Sequence, residues 1–155
     1  MNKRPIVYIA CALALSGCSI FHKDSSPPDP VRPQVFVVDG RLIVVNAEPL
    51  VFTRRGAVTI TWHLPRGSNY TFDAQGIVIE GRLVSQTKVP RDGLVQQTYV
   101  LDPKQDEIVR CSPSKEGSEF SCLNRNTKPG RYKYTIRVRD GTKALESLDP
   151  WIVND

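Results

Sequence analysis

Apolar and polar side chains alternate with a period of two from Val35 to the end of this chain, and no stretch carries a helical repeat. Ala57–Leu64 shows the pattern cleanly. Val58, Ile60, Trp62 and Leu64 fall on one face, and Thr59, Thr61 and His63 on the other. Gly130–Asp140 repeats it, with Tyr132, Tyr134, Ile136 and Val138 inward and Arg131, Lys133, Thr135, Arg137 and Arg139 outward. Further strands are predicted at Val35–Val38, Arg41–Val45, Leu50–Thr53, Gly76–Val84, Leu94–Leu101, Thr142–Glu146 and Trp151–Val153. Asp39-Gly40, Asp92-Gly93 and Asp140-Gly141 mark the turns, because tight hairpins need residues that tolerate positive φ. Short strands at this spacing predict an all-β, two-layer antiparallel β-sandwich over residues 35–155.

Two segments add detail. In Gly76–Val84, Ile77, Ile79 and Gly81 are expected to face inward, which turns Glu80 outward. At the C-terminus Trp151 and Val153 share a face, and burial on a final edge strand opened by Pro150 is the expectation.

Cysteines refine the architecture. Cys111 and Cys122 flank a turn-rich stretch, Ser112–Ser118, and are expected to form a disulfide clasping a hairpin with arms Ile108–Cys111 and Glu119–Leu123. A ring of this size stabilises by about 3 kcal/mol before strain is subtracted. A redox-active pair would want C-x-x-C at a helix start, which is missing here. Trp62 could be the core tryptophan of an immunoglobulin-like sandwich, but this cysteine pair is too closely spaced for the inter-sheet bridge of true antibody domains. A lipocalin-like barrel ranks second, since it wants longer up-and-down strands. Lys128-Pro129-Gly130-Arg131-Tyr132-Lys133-Tyr134 is similar to the P-G-x-Y-x-Y run of cupredoxins, which implies a shared sandwich. That family places a copper-ligating Cys directly after the second tyrosine, with His and Met close behind. Here Thr135 follows, no His occurs after His63, and Met1 is the only methionine. The resemblance therefore implies the fold without the metal site.

Ahead of the strands the pattern changes. Lys3 and Arg4 precede an apolar stretch from Ile6 to Leu15, and Leu15-Ser16-Gly17-Cys18 closes it. Basic start, short apolar core and small residues make a secretory signal peptide, too short to span a bilayer as a helix. The ending resembles the lipobox of bacterial lipoproteins. That resemblance implies cleavage after residue 17, lipidation of Cys18 and retention at a membrane, with three acyl chains on the mature N-terminus. Each buried methylene contributes ~0.8 kcal/mol, so several chains hold where one does not. Ser19, in place of the aspartate that retains such proteins at the inner membrane, implies the periplasmic face of the outer membrane. Cys11 matches the lipobox less well and is expected to leave with the leader. Residues 18–34 hold Pro27, Pro28, Pro30 and Pro33 among serines and mixed charges. They are expected to form an extended tether of about fifteen residues, reaching up to ~45 Å at ~3.1 Å per residue.

Charge and chemistry narrow the function. The chain carries 21 basic and 16 acidic residues, and losing Lys3 and Arg4 leaves 19 against 16, a net +3. That is too weak for a nucleic-acid partner. No nucleophile elbow, zinc-helix motif or phosphate-cradling loop is present. His63 lies on a polar strand face and is expected to be an ordinary surface histidine. Asp102, Asp106 and Glu107 lack calcium-loop spacing and are expected to form a solvated loop. Neither a cofactor nor a metal is expected. The main surface signal is the outward row Arg131, Lys133, Arg137 and Arg139, which spreads positive charge over ~27 Å at about 3.4 Å per residue. It would suit an acidic envelope protein or an anionic envelope polymer, unless carboxylates on neighbouring strands, Glu80 among them, neutralise it. The expectation is thus a membrane-held, non-enzymatic binding or structural module. An envelope hydrolase or inhibitor is the alternative, and a metal carrier the more remote one.

Overall fold

Alternating side chains become buried and exposed faces with few revisions. The computed structural model describes residues 28–91 and 94–155, with side chains described for all of these except 42 and 86–98. The leader, Cys18, most of the tether and the Asp92-Gly93 turn lie outside the described residues. Eleven strands follow one another within them: β1 Val35–Val38, β2 Leu42–Val45, β3 Leu50–Phe52, β4 Val58–His63, β5 Tyr70–Arg91, β6 Leu94–Asp102, β7 Ile108–Pro113, β8 Glu119–Asn124, β9 Gly130–Asp140, β10 Lys143–Ala144 and β11 Trp151–Asn154. The fold is all-β and multi-sheet, of β-sandwich type. β1 and β2 form a ribbon, β4-β8-β7 a three-stranded sheet, and β3-β11-β9-β5-β6 the largest sheet, with β10 added to β9. All pairings are antiparallel except β3 with β11.

The core lies where β4 and β8 meet β9 and β5. Ile60, Trp62, Phe120, Tyr132, Tyr134, Ile136 and Val138 are all buried. Trp62 and Tyr134 stand 5.3 Å apart between ring centroids, and Phe72 meets Phe120 edge-on at 5.9 Å. Each such ring removes on the order of 200 Å² from water, a gross transfer gain of about 5 kcal/mol. That outweighs the ~1 kcal/mol expected of the Trp62–Tyr134 hydrogen bond, whose part is to orient the rings. The Cys111–Cys122 disulfide forms as expected. It sits in a bulge of β7 between Val109 and Ser112, where Arg110 adopts a φ of 54°. The first turn also behaves as expected: Asp39 and Gly40 have φ of 52° and 64°, and Arg41 N–H donates to Val38 C=O.

Four expectations need revision. Trp151 is only half-buried. Ile152 and Asn154 face inward instead, and β11 is an interior strand between β3 and β9. The inward set contains a polar residue whose amide is satisfied by reciprocal hydrogen bonds with Asn124 at 2.8 and 3.1 Å. Hydrophobic alternation alone could not place it. Thr135, expected outward, is buried because the segment before β11 runs back along β9, with Ile136 and Leu148 exchanging backbone hydrogen bonds. The chain is also attached to β4 before Val35: Thr61 N–H donates to Val31 C=O and His63 N–H to Pro33 C=O. Finally, β5 begins at Tyr70, earlier than Gly76. Phe72 pairs with Val138 and Ile77 with Ile136, so the intervening residues of β5 oppose Arg137 alone. Phe72 and Ile77 are both buried although five residues apart, an odd spacing that hides the strand from a period-two search.

Candidate functional site

Three places collect polar chemistry, and local strand geometry decides each. The first is the outward row on β9. Lys133 makes ion pairs with Glu80 and Asp149, both at 3.2 Å. The hydrogen bonds that Lys133 donates to Asp149 and Glu80 push its pKa up. Glu80 therefore neutralises Lys133 alone, and only part of this face. Thr135 reaches the same two carboxylates from below. Arg139 pairs with Asp73 at 3.0 Å and, against a smaller effect of burial, holds that carboxyl below its usual range. Arg131 lies over the Trp151 ring, 5.4 Å from its centroid. Arg137 is exposed and makes no ion pair among the described residues.

His63 ends β4 and lines a cleft of about 690 Å³ with Arg32, Arg66, Glu116 and Glu119, among others. Its Nδ1 lies 3.1 Å from Glu119 Oε1, across the β4–β8 register that pairs the two residues. The Glu119 side chain is 50 % exposed, so this is a cross-strand surface pair. Among the described residues no group of three or more metal-ligating side chains converges.

The third place was not legible. A cavity of about 180 Å³ is lined by Arg82, Asp102, Lys104, Glu107, Lys128 and Tyr132, among others. Strand alternation from Ile77 and Ile79 would send Arg82 outward beside Glu80. Between Ile79 and Gly81, however, the β5–β9 register slips by one: Ile79 opposes Tyr134, whereas Arg82 opposes Tyr132. A one-residue slip exchanges the faces of everything beyond it, so Arg82 joins the buried Tyr132 on the inner side. Gly81 permits the slip, since a Cβ there would come within 2.7 Å of the Asp102 carbonyl oxygen.

Around this cavity the carboxylates are already occupied. Glu107 is 2 % exposed and accepts hydrogen bonds from Thr127 N–H at 2.7 Å and Thr127 Oγ1 at 2.6 Å, with Lys128 N–H at 3.4 Å. Burial pulls its pKa up, but these donors outweigh burial and leave it lowered. The expected solvated loop is therefore corrected at Glu107, whose buried carboxylate ties β7 to the turn before β9. Asp106 pairs with Lys128, and Asp102 Oδ1 accepts from Lys104 N–H. Arg82 donates from Nη2 to the Pro129 carbonyl at 3.0 Å. Its Nε and the Tyr132 hydroxyl are buried and have no hydrogen-bond partner in the protein. Burial raises the Tyr132 pKa and the Arg82 charge partly offsets this, which keeps the phenol a neutral donor. The sequence signals were thin: an arginine directly after Gly81 in an apolar strand, and Gly130 before Tyr132.

A scan against protein-family models finds no match, and a search of curated proteins finds none either.

Proposed function

We propose that this chain is a bacterial lipoprotein, lipidated at Cys18 and held on the periplasmic face of the outer membrane. Its domain would be a two-layer sandwich of immunoglobulin-like or cupredoxin-like type, serving as a non-enzymatic binding or structural module of the cell envelope. The leader supports the anchoring half of this reading. The observation that carries the binding half is the outward face of the β1–β2 ribbon. Phe36, Val38 and Val44 are 42, 43 and 38 % exposed, and Phe36 opposes Val44 directly. Clustered apolar side chains on a ribbon that could have been polar on this face mark a contact surface.

From Cys18 to Pro28 the roughly ten intervening steps reach up to ~31 Å when extended, so an anchored domain would hold this ribbon near the bilayer. The basic row supplies a second contact for an acidic envelope protein or anionic polymer, mainly through Arg137, since Lys133 and Arg139 are neutralised locally. Hydrolysis is the weaker reading because the carboxylate beside His63 is half-exposed and paired as a surface residue. Replacing Cys18 by Ala tests the anchoring. The variant is expected to accumulate as an unprocessed precursor and leave the membrane fraction. Wild-type fractionation and migration would end the lipoprotein reading.

A further inference from the structure

The longest strand outruns its sheet. β5 pairs with β9 only as far as Arg82, which opposes Tyr132, and with β6 from Arg82 to Arg91. Beyond Arg82 the two strands therefore form a ribbon that no other strand joins among the described residues. Residues 83–91 extend about 27 Å at ~3.4 Å per residue. Leu83 opposes Leu101 and Val84 opposes Val100, and all four are half-buried. Successive residues point to opposite faces, so apolar pairs lie incompletely covered on both faces of the ribbon. A two-stranded ribbon of this kind is marginal in water without a third strand or a packed face.

The two free edges differ in chemistry. A lone edge presents unpaired N–H and C=O groups, and folded chains blunt it with charge, proline or a bulge. β5 carries all of these: Lys88 and Arg91, Pro90, and an extra residue between Gln86 and Val89. Over residues 94–101, the sequence LVQQTYVL, β6 carries none of them. Protection on one strand and not on the other leaves β6 open to strand addition.

The same lack of charge suits a copy of this chain, because antiparallel self-pairing of β6 sets no like charges opposite each other. A two-fold axis normal to the sheet keeps each residue on its own face, so the axis must pass through a residue position. Centring on Gln97 sets Leu94 opposite Val100 of the copy and Val95 opposite Tyr99. Centring on Thr98 would set Asp102 opposite Leu94, and centring on Tyr99 would set it opposite Gln96. The Gln97 register thus matches apolar with apolar positions and leaves Asp102 outside the ladder.

We propose that two copies of this chain join through β6, antiparallel about a two-fold axis at Gln97, into a continuous sheet in the order β5-β6-β6-β5. This contact depends neither on lipidation nor on the β1–β2 surface, so it stands or falls separately from the anchoring.

The test is sedimentation velocity of the full-length protein in density-matched detergent micelles over a range of concentrations. Wild type is expected to dimerise reversibly. Gln97→Lys and Gln97→Asp each set like charges across the axis and are expected to weaken dimerisation by about tenfold or more. An equimolar mixture of the two is expected to recover association, which neither misfolding nor shared micelles would produce. Should either variant fail to fold, hydrogen exchange of wild type decides. Amides of residues 94–100 that point away from β5 should slow as concentration rises, and those of residues 83–91 should not. The proposal is overturned if wild type stays monomeric up to about 100 μM, an outcome that assigns the edge to an extended segment of another protein. It is equally overturned if both variants dimerise as wild type does, if their mixture stays dissociated, or if the β5 amides are the ones protected.

Discussion

Tyr132 and Tyr134 sit two residues apart on the same face of β9, and both are fully buried, yet they end in opposite circumstances. The Tyr134 hydroxyl accepts a hydrogen bond from Trp62 Nε1 at 3.3 Å and locks β9 to β4. The Tyr132 hydroxyl, beside Arg82, has no partner in the protein. One phenol hydroxyl bridges two strands of the core and the other is enclosed without a partner. Identical side chains on one strand face thus end with a partnered hydroxyl in one case and an unpartnered one in the other. The register of the neighbouring strand makes the difference: Tyr134 opposes Ile79 on β5, and Tyr132 opposes Arg82.

The largest blow to this contrast is Trp62→Ala. It removes a fully buried ring and strips Tyr134 of its donor, so a loss of about 3–5 kcal/mol is expected in urea unfolding. A loss below about 1 kcal/mol would mean that the Tyr134 end is not the structural one.

Glu107→Gln comes next and strikes the other end, because Glu107 holds the Thr127–Lys128 turn beside Tyr132. Its folded pKa lies below the ordinary value of 4.5. Its contribution is therefore fully present above that value and is lost as pH falls through the lowered folded pKa. At neutral pH the variant should lose about 1–3 kcal/mol. It should also show a flatter decline of stability on acidification below pH 4.5. An unchanged acid profile would show that Glu107 is not ionised in the folded state.

Tyr134→Phe should cost about 1 kcal/mol, since it leaves the Trp62 N–H without its acceptor. Tyr132→Phe should instead stabilise the fold by about 1–3 kcal/mol, because it deletes a buried hydroxyl that bonds nothing in the protein. Measured side by side, these two variants are the sharpest form of the comparison. Equal costs would show that the Tyr132 hydroxyl has a structural partner, and the contrast would collapse.

Strand alternation was legible wherever the pleat is regular. Tyr132, Tyr134, Ile136 and Val138 point inward as their spacing requires, and the Cys111–Cys122 clasp follows from a turn-rich interval between two short strands. Glu80 could be anticipated as a partner for the basic row by the same logic. The pattern failed where the pleat is interrupted or where a polar residue occupies an inward position. Phe72 and Ile77 straddle a bulge, Asn154 is satisfied by Asn124 across the core, and Thr135 is covered by the segment that leads into β11, the sheet neighbour of β9. The Arg82–Tyr132 site falls under the same heading. A bulge is invisible to a reading that assumes a period of two, and the glycine that permits it looks like any other.

By itself the sequence determined an all-β chain, most of its strands, the turn at Asp39-Gly40, the disulfide and the inward face of the central strand. It did so because a strand's two faces are written directly into alternate residues. The tertiary structure alone decided which of two buried tyrosines would be partnered and that an arginine would stand inside beside the other. Those outcomes depend on a one-residue slip between β5 and β9, and register belongs to a pair of strands rather than to either one.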